Sequence, residues 1–381
     1  MTITGTKITS TSSGSGRGLH STYGGSITAS SVTISSTGGS CATLATDRGE
    51  GTVTCKDCTL STGGAGSPLI YSTGTITVSS TSGTASAAQM VVVEGKNTAT
   101  VQENSSLKCT GVGNRNNVDD CGIFLYQSMS GDAETGTSTF NCKSSSLEIL
   151  SSSSVYSSAP MFFITNTDSV INLEGCTFTY GSGIFLNAAG TSEWGTSGSN
   201  GGDVTLTLTN QDVEGDFVVN SDSSLTINMV NSSIKGKINN AKSSSTISIT
   251  LDAASKITLT GNSYVSTLSN SDTTGSNIIK GSYSFADYNG NEYTGTTSTS
   301  SGSSASTDDI QNTSTSAATQ TSLDTSAATQ TSLDTSATNN SGNQTTSNGD
   351  DDNEDRQITK IYLDGKYLTN YIFFAFILLL F

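Results

Sequence analysis

Proline, histidine and charge are the scarcest features of this 381-residue chain. It has two prolines, Pro68 and Pro160, one histidine, His20, and 13% charged residues, whereas globular domains usually carry ~25%. Apolar residues reach only 33%. A disordered chain combines low hydrophobicity with high net charge, so this composition is not its signature. Apolar residues that are sparse but regularly spaced favour an elongated fold with a thin core.

The charge balance is acidic. The net charge is −16, from 32 acidic and 16 basic residues. Nucleic-acid binders carry a basic stripe that displaces counterions, and none is found, so no nucleic-acid partner is predicted. One short run holds five acids, namely Asp350, Asp351, Asp352, Glu354 and Asp355. A block of like charges predicts a solvated spacer rather than a metal site.

Cysteine and histidine are too few for a metal centre. Cys55-Lys-Asp-Cys58 has zinc-knuckle spacing, but no second C-x-x-C follows and His20 is isolated. No metal or cofactor site is therefore predicted. The cysteines are expected to be small core residues or to form occasional disulfides between neighbouring coils. They are Cys41, Cys55, Cys58, Cys109, Cys121, Cys142 and Cys176.

A short strand pattern repeats through the first hundred residues. Gly-x-(Ile/Val)-Thr occurs at 25–28, 51–54 and 74–77, with Thr2-Ile-Thr4 before and Thr98-Ala-Thr-Val101 after it. Alternating residues within each segment predict strands with one buried face. The central residues recur every 23 to 26 positions, and such self-similarity is typical of repeat architectures.

A second strand series runs out of phase with the first, at 42–45, 68–71, 90–93, 123–126, 161–164 and 184–186. Two phased series per period of about 23 residues predict stacked coils whose short strands form parallel sheets. A β-sandwich is the competing all-β fold, because its turns also recur every 8–12 residues. The repeat at one-coil length favours an all-β parallel solenoid over residues 1–295. Wider spacing between Thr98 and Ser158 predicts projecting loops.

Several segments carry a resemblance to a known family. They are 126–132, 163–168, 194–203, 214–216 and 259–265. Over residues 20 to 290 the chain resembles adhesin-like β-helix proteins of gut microbes, within the pectin-lyase-like superfamily. The resemblance implies a right-handed parallel β-helix, placement outside the cell and a binding role.

The composition changes after Tyr293. Residues 296–349 are almost entirely small and polar, and the unit Thr315–Asp324 repeats at once as Thr325–Asp334. Such a segment cannot bury enough apolar surface to fold, so a disordered, O-glycosylated stalk is predicted. Residues 350–370 form an acidic and polar spacer. N-glycosylation sequons begin at Asn104, Asn231, Asn312, Asn339 and Asn343.

The chain ends in an apolar tail at residues 371–381. Eleven residues are too few for a spanning helix, which needs about 20. A small-residue site, a polar spacer and an apolar tail describe a GPI-attachment signal, with Ser347, Asn348 and Gly349 as candidate attachment sites. A short transmembrane anchor is the alternative. No signal peptide precedes Thr2-Ile-Thr4, and an N-terminally truncated gene model is the expected reason.

Catalysis is the alternative to binding. Glycoside hydrolysis needs two carboxylates at a set separation, and the weak candidates are Asp119, Asp120, Glu214 and Asp216. No histidine accompanies them. Polysaccharide lyase or hydrolase activity is therefore the alternative rather than the main prediction. Thr-x-Thr rows at 2–4, 52–54 and 75–77 suggest ice binding as a second alternative, but they do not recur in enough consecutive coils of the sequence to favour it.

A non-catalytic surface protein is the function that the sequence favours. A long uncharged face of Thr, Ser and Asn offers many weak hydrogen bonds, suited to glycans or extracellular proteins. The sequence therefore predicts an adhesin-like or scaffolding protein at the cell surface, membrane-attached through its C-terminus, with its recognition site in the wider loops. This prediction of function rests partly on analogy with proteins of the same fold.

Overall fold

A computed structural model describes residues 1–11, 14–115 and 117–297, and the backbone of 361–363 and 366–368. The described part of the chain is built of strands and turns, without helices. In chain order the strands are β1 (Thr2–Thr4), β2 (Lys7–Ser10), β3 (Leu19–Thr22), β4 (Ser26–Ser30), β5 (Thr33–Ser36), β6 (Leu44–Asp47), β7 (Thr52–Lys56), β8 (Thr59–Thr62), β9 (Ile70–Ser72), β10 (Thr75–Ser79), β11 (Ser82–Ala85), β12 (Val91–Glu94), β13 (Thr98–Gln102), β14 (Ser106–Cys109), β15 (Ile123–Tyr126), β16 (Ser138–Lys143), β17 (Ser146–Ile149), β18 (Phe162–Thr165), β19 (Thr167–Glu174), β20 (Thr177–Thr179), β21 (Ile184–Ala188), β22 (Gly202–Thr209), β23 (Asp212–Glu214), β24 (Asp216–Val219), β25 (Ser224–Val230), β26 (Ser233–Gly236), β27 (Ile247–Leu251), β28 (Lys256–Leu259), β29 (Ser263–Tyr264), β30 (Thr267–Asn270), β31 (Ile278–Ile279), β32 (Phe285–Ala286), β33 (Ile361–Leu363) and β34 (Lys366–Leu368).

The strands before residue 297 stack into long parallel sheets. Sheet 1 has eleven strands, in the order β1-β4-β7-β10-β13-β16-β19-β22-β25-β27-β30. Sheet 2 runs β2-β5-β8-β11-β14-β17-β20, and sheet 3 runs from β3 through β6, β9, β12, β15, β18 and β21 to β24. Sheet 4 is β23-β26-β28-β31, and β29 pairs with β32. The chain visits one strand of each sheet in turn, which is the arrangement of a parallel β-helix solenoid. By contrast, β33 and β34 pair antiparallel.

The predicted strand series correspond to two of these sheets. The first series forms sheet 1, where Val53 pairs with both Ile27 and Ile76. Its first member is shifted, because Ile3 pairs with Ala29 rather than with Ile27. The second series forms sheet 3. Sequence reasoning found two series where the coils have three strands, because each strand of sheet 2 follows a strand of sheet 1 after only a two- or three-residue corner.

The core is a column of inward side chains. Val53, Ile76 and Leu206 on sheet 1 are fully buried, and burying such a side chain stabilises the fold by about 1.5–3 kcal/mol. The column becomes aromatic in the middle coils. Phe162 and Phe185 pack edge-to-face with ring centroids 5.2 Å apart, and Phe217 lies 5.6 Å beyond Phe185.

One corner of the coil favours Ser, Asn and Gly. At the corner that follows a sheet 1 strand, nine coils have a residue with a left-handed backbone, as Asn104 does at φ 61° before sheet 2 and Asn231 at φ 46° before sheet 4. Small polar residues and glycine tolerate this conformation best. The other positions of this row are Gly5, Ser31, Asp57, Ser80, Ser144, Gly175 and Asn210. At this corner buried hydroxyls accept hydrogen bonds from backbone N–H groups in place of backbone carbonyls. Thr81 N, for example, donates to Ser105 Oγ at 3.1 Å.

The outer face of sheet 1 carries two uncharged rows that are more continuous than the Thr-x-Thr segments of the sequence indicate. One row runs through ten strands and is interrupted by a single apolar residue: Ser26, Thr52, Thr75, Thr98, Thr139, Val170, Thr205, Thr226, Ser248 and Thr267. The adjacent row is Thr28, Thr54, Thr77, Thr100, Asn141, Asn172, Thr207, Asn228, Thr250 and Ser269. Asparagine replaces threonine in the later coils, which hides the row from a Thr-x-Thr search.

Candidate functional site

A second apolar cluster lies outside the solenoid, on the outer face of sheet 3. The register aligns Tyr71, Val92, Phe124 and Phe163 in one row across four strands. Their neighbours Val91 and Val93 point inward to the main core. Because side chains alternate along a strand, this row points outward, yet Val92, Phe124 and Phe163 are buried. Loops must therefore cover it.

Trp194 is the main covering residue. It lies in the loop between β21 and β22, and its ring centroid is 5.3 Å from those of Phe124 and Tyr126. The loop is held by the Asn200 carboxamide, which donates to the carbonyls of Trp194 at 2.5 Å and Thr191 at 2.6 Å. These aromatic contacts fix Trp194 against sheet 3.

Glu94 is the buried charge of this cluster, with 1% of its surface exposed. Tyr126 donates its hydroxyl to Glu94 Oε2 at 2.9 Å. Tyr71 donates to the same oxygen, and Ser128 donates to Oε1. A buried carboxylate must be hydrogen-bonded to be tolerated, and these three hydroxyls meet that need.

The hydroxyls of Tyr71 and Tyr126 remain hydrogen-bond donors at neutral pH. Burial raises the pKa of Tyr126 well above its usual 10.0, and the Glu94 charge raises it further. Burial also raises the pKa of Tyr71, and Tyr126 and Glu94 add to the effect. Both hydroxyls therefore stay protonated at neutral pH, and both are committed to Glu94.

Asp119 and Asp120 organise the loop between β14 and β15. Asp119 is 3% exposed, and its Oδ1 accepts the backbone N–H of Arg115 at 2.9 Å. Gln89 Nε2 donates to the Asp119 carbonyl at 2.7 Å. Asp120 Oδ1 accepts from Gly113 N at 2.7 Å. Burial raises the pKa of Asp120, against this hydrogen bond. Both carboxylates thus fold the loop, and neither lies on a strand.

Between this loop, sheet 3 and the Trp194 loop lies a cleft of about 300 Å³. We call it the sheet 3 cleft, and it is lined by Arg17, Tyr71, Glu94, Arg115, Tyr126 and Trp194, among others. Its wall therefore combines aromatic edges with hydrogen-bonding and charged groups.

The arginines of the cleft differ in their partners. Arg17 lies 3.4 Å from Asp47 and 6.0 Å over the Tyr71 ring. Burial raises the pKa of Asp47, but the His20 hydrogen bond and the Arg17 charge outweigh it, so the net shift is downward. Within the described residues, the Arg115 side chain has no carboxylate within 4 Å. Arg115 therefore brings to the cleft an exposed cation that has no ion pair among the described residues.

The other two carboxylate candidates lie elsewhere. Glu214 ends β23 in sheet 4, and Asp216 begins β24 in sheet 3. Glu214 binds Lys235 at 2.7 Å and Asp216 binds Lys237 at 3.1 Å, both on the next coil. The chain turns at Gly215, so the two carboxylates lie at a coil edge on strands of different sheets and do not share one strand face. They form charge pairs on the surface.

The structure pairs four cysteines in two disulfides and describes two of the five sequon asparagines. Cys142 and Cys176 form a disulfide between neighbouring coils, as predicted, whereas Cys55 and Cys58 pair within one coil. The described residues contain no group of side chains that could hold a metal. Asn104 and Asn231 are exposed. Asn312, Asn339, Asn343, Ser347, Asn348, Gly349 and the tail 371–381 lie outside the described residues.

Sequence reasoning missed Glu94, Tyr71 and Trp194 as site residues, although it placed recognition in the loops between Thr98 and Ser158. A charged residue closing the apolar run Val91-Val-Val-Glu94 was the available signal. Among the described residues, none belongs to a helix long and apolar enough to cross a bilayer. No family model, curated protein or solved structure matches this chain. The resemblance to adhesin-like proteins of gut microbes stays a prediction.

Proposed function

We propose that this protein binds glycans without cleaving them, through the sheet 3 cleft. The proposal rests on the composition of the cleft. There the aromatic side chains of Tyr126 and Trp194 lie beside Arg115, which has no ion pair among the described residues. Binding sites for small molecules combine an apolar wall with a few placed polar groups in this way. A sugar ring presents an apolar face and a rim of hydroxyls, and it fits such a wall.

The carboxylates of the cleft favour binding over catalysis. A general acid or base must reach the reacting atom, but Glu94 is engaged by three hydroxyls and Asp119 by backbone N–H groups. Their hydrogen bonds support a structural role. The finer parts of the proposal are a right-handed winding, placement at the cell surface and attachment by the C-terminus, and they rest on the sequence.

The test is a glycan array probed with the full chain, followed by titration calorimetry on each hit. Arg115→Ala should weaken binding at least about tenfold, the loss expected when a hydrogen bond from a charged group is removed. Lys256→Ala, on an exposed position of β28, is the matched control and should bind as the parent does. Release of reducing sugar from a bound glycan would refute the non-catalytic part.

Ice binding is a second candidate, favoured by the two uncharged rows on sheet 1. Neighbouring strands are about 4.8 Å apart and alternate residues about 6.7 Å apart, so the Thr, Ser and Asn side chains of the two rows are regularly spaced in two dimensions. A regular lattice of Thr side chains can order water. Thermal hysteresis of the full chain, abolished by Thr77→Lys and kept in Thr59→Lys on sheet 2, would support it. A freezing point equal to the melting point would refute it.

A further inference from the structure

The wall of the solenoid is interrupted between two consecutive coils. Sheet 2 ends at β20 and sheet 4 begins at β23, although sheets 1 and 3 run through the same two coils. On one side β19 and β22 pair from Thr167↔Gly202 to Glu174↔Thr209. On the other side β21 and β24 pair with one register shift. The gap is therefore confined to a single wall.

Strands β20 and β23 face each other across this gap. Continuing the register from Glu174↔Thr209 brings Thr177 opposite Asp212 and Phe178 opposite Val213. In the described chain no ladder joins the two strands, since β20 pairs only with β17 and β23 only with β26. Each strand thus presents one edge that has no partner strand in the described chain, and such edges are templates for a further strand. We call the gap the strand slot.

Side chains hold the two ends of the strand slot. At one end the Gln211 carboxamide inserts between the coils: Oε1 accepts from Cys176 N at 2.7 Å, and Nε2 donates to the carbonyls of Cys176 and Asp212, each at 2.7 Å. At the other end Tyr180 donates its hydroxyl to the Glu214 carbonyl at 2.5 Å. The Gln211 amide takes the place of one peptide group, as a strand in the slot would.

The gap also opens the core. Phe178 points inward but is only half-buried, whereas Phe162 and Phe185, which pack on it, are fully buried. The cleft here has a volume of about 500 Å³ and is floored by Phe178, Phe185 and Val213. An apolar side chain from an added strand would cover this floor.

We propose that the strand slot accepts an extended polypeptide segment of a partner protein, which pairs with β20 and β23 and points an aliphatic side chain at Phe178. Both walls are peptide edges, and main-chain hydrogen bonds give such strand addition its affinity. The occupant is a peptide rather than a glycan because the open groups alternate along two parallel edges. The site is separate from the sheet 3 cleft.

The test is amide hydrogen exchange of the full chain, with and without the probe acetyl-Thr-Thr-Val-Thr-Thr-amide. At about 1 mM probe, exchange at Phe178, Asp212 and Glu214 should slow at least about tenfold, because these slot-facing amides become hydrogen-bonded. The amide of Thr177 already donates to Ser145 O at 2.9 Å and should change little. Amides of β8, which is paired on both sides, should not change. A probe N-methylated at alternate amides should give no protection.

A variant separates strand addition from loose apolar contact. Phe178→Ser should abolish the protection while exchange in β22 stays as in the parent, which shows that the coils are intact. The proposal is overturned by unchanged exchange at saturating probe, by equal protection from the N-methylated probe, or by protection from cellohexaose in place of the peptide.

Discussion

Tyr126 holds the carboxylate of Glu94 with a hydroxyl placed 2.9 Å from Oε2, outside the solenoid but out of reach of water. The two residues lie opposite each other on neighbouring strands, β15 and β12. Tyr71 on β9 donates to the same carboxylate, so residues from three coils meet there, and Trp194 packs on Tyr126. This small outer core shapes the sheet 3 cleft.

Removing that hydroxyl should destabilise the protein. Tyr126→Phe leaves a charged acceptor one donor short, and hydrogen bonds to charged groups contribute about 1.5–3 kcal/mol. We expect urea denaturation to show a loss of that size. Tyr283→Phe, at a position that is 40% exposed, is the control and should leave the midpoint unchanged. An equal midpoint for both variants would contradict the role given to Tyr126.

Stability should fall at alkaline pH through the same residues. The folded-state pKa values of Tyr71 and Tyr126 lie well above 10.0, so their contribution is complete below pH 10 and is lost as pH rises toward those raised values. Each should cost about 1.4 kcal/mol per pH unit above pH 10. Denaturation between pH 9 and 11 should show a steeper decline for the parent than for the double variant Tyr71→Phe/Tyr126→Phe. An equal decline in stability for the parent and the double variant would contradict this prediction.

The two disulfides should differ in their effect. Cys142–Cys176 closes a loop with a separation of 34 residues, and Cys55–Cys58 one of 3. Chain entropy predicts about 4 kcal/mol for the first and about 1.5 kcal/mol for the second. Thermal denaturation of the two paired Cys→Ala variants should rank them in that order. The reverse ranking would contradict loop closure as the source of the stability that these disulfides contribute.

The left-handed corner makes Asn104 sensitive to residue type rather than to size. Asn104→Gly should keep the stability, whereas Asn104→Val should lose about 1–2 kcal/mol because a β-branched residue resists positive φ. Thr98→Val, on an outward strand position, controls for the added methyl groups. The measurement is the chemical denaturation midpoint of unglycosylated protein. Equal midpoints for the Gly and Val variants would contradict the corner.

The sequence predicts the coils better than the site. Sheets 1 and 3 follow from alternating apolar residues at one-coil spacing, and residues such as Val53 and Ile76 fulfil that prediction. Sheet 2 was missed because β2 follows β1 after two residues, so the pair resembles one strand and a turn.

The outer cluster could not be predicted in this way. Val92 and Phe124 occupy outward positions, where a polar residue is expected, and only the covering loop with Trp194 makes an apolar residue stable there. The strand slot is hidden for a similar reason. Thr177-Phe-Thr179 and Asp212-Val-Glu214 have ordinary strand patterns, and neither pattern indicates that the two strands do not pair with each other.

Glycan binding in the sheet 3 cleft is the central claim, and titration calorimetry of the full chain and its Arg115→Ala variant tests it most directly. The account predicts that a glycan found on the array binds the parent chain and loses at least about tenfold affinity in the variant, with Lys256→Ala unchanged. A glycan bound equally well by all three proteins, or no bound glycan at all, would contradict it.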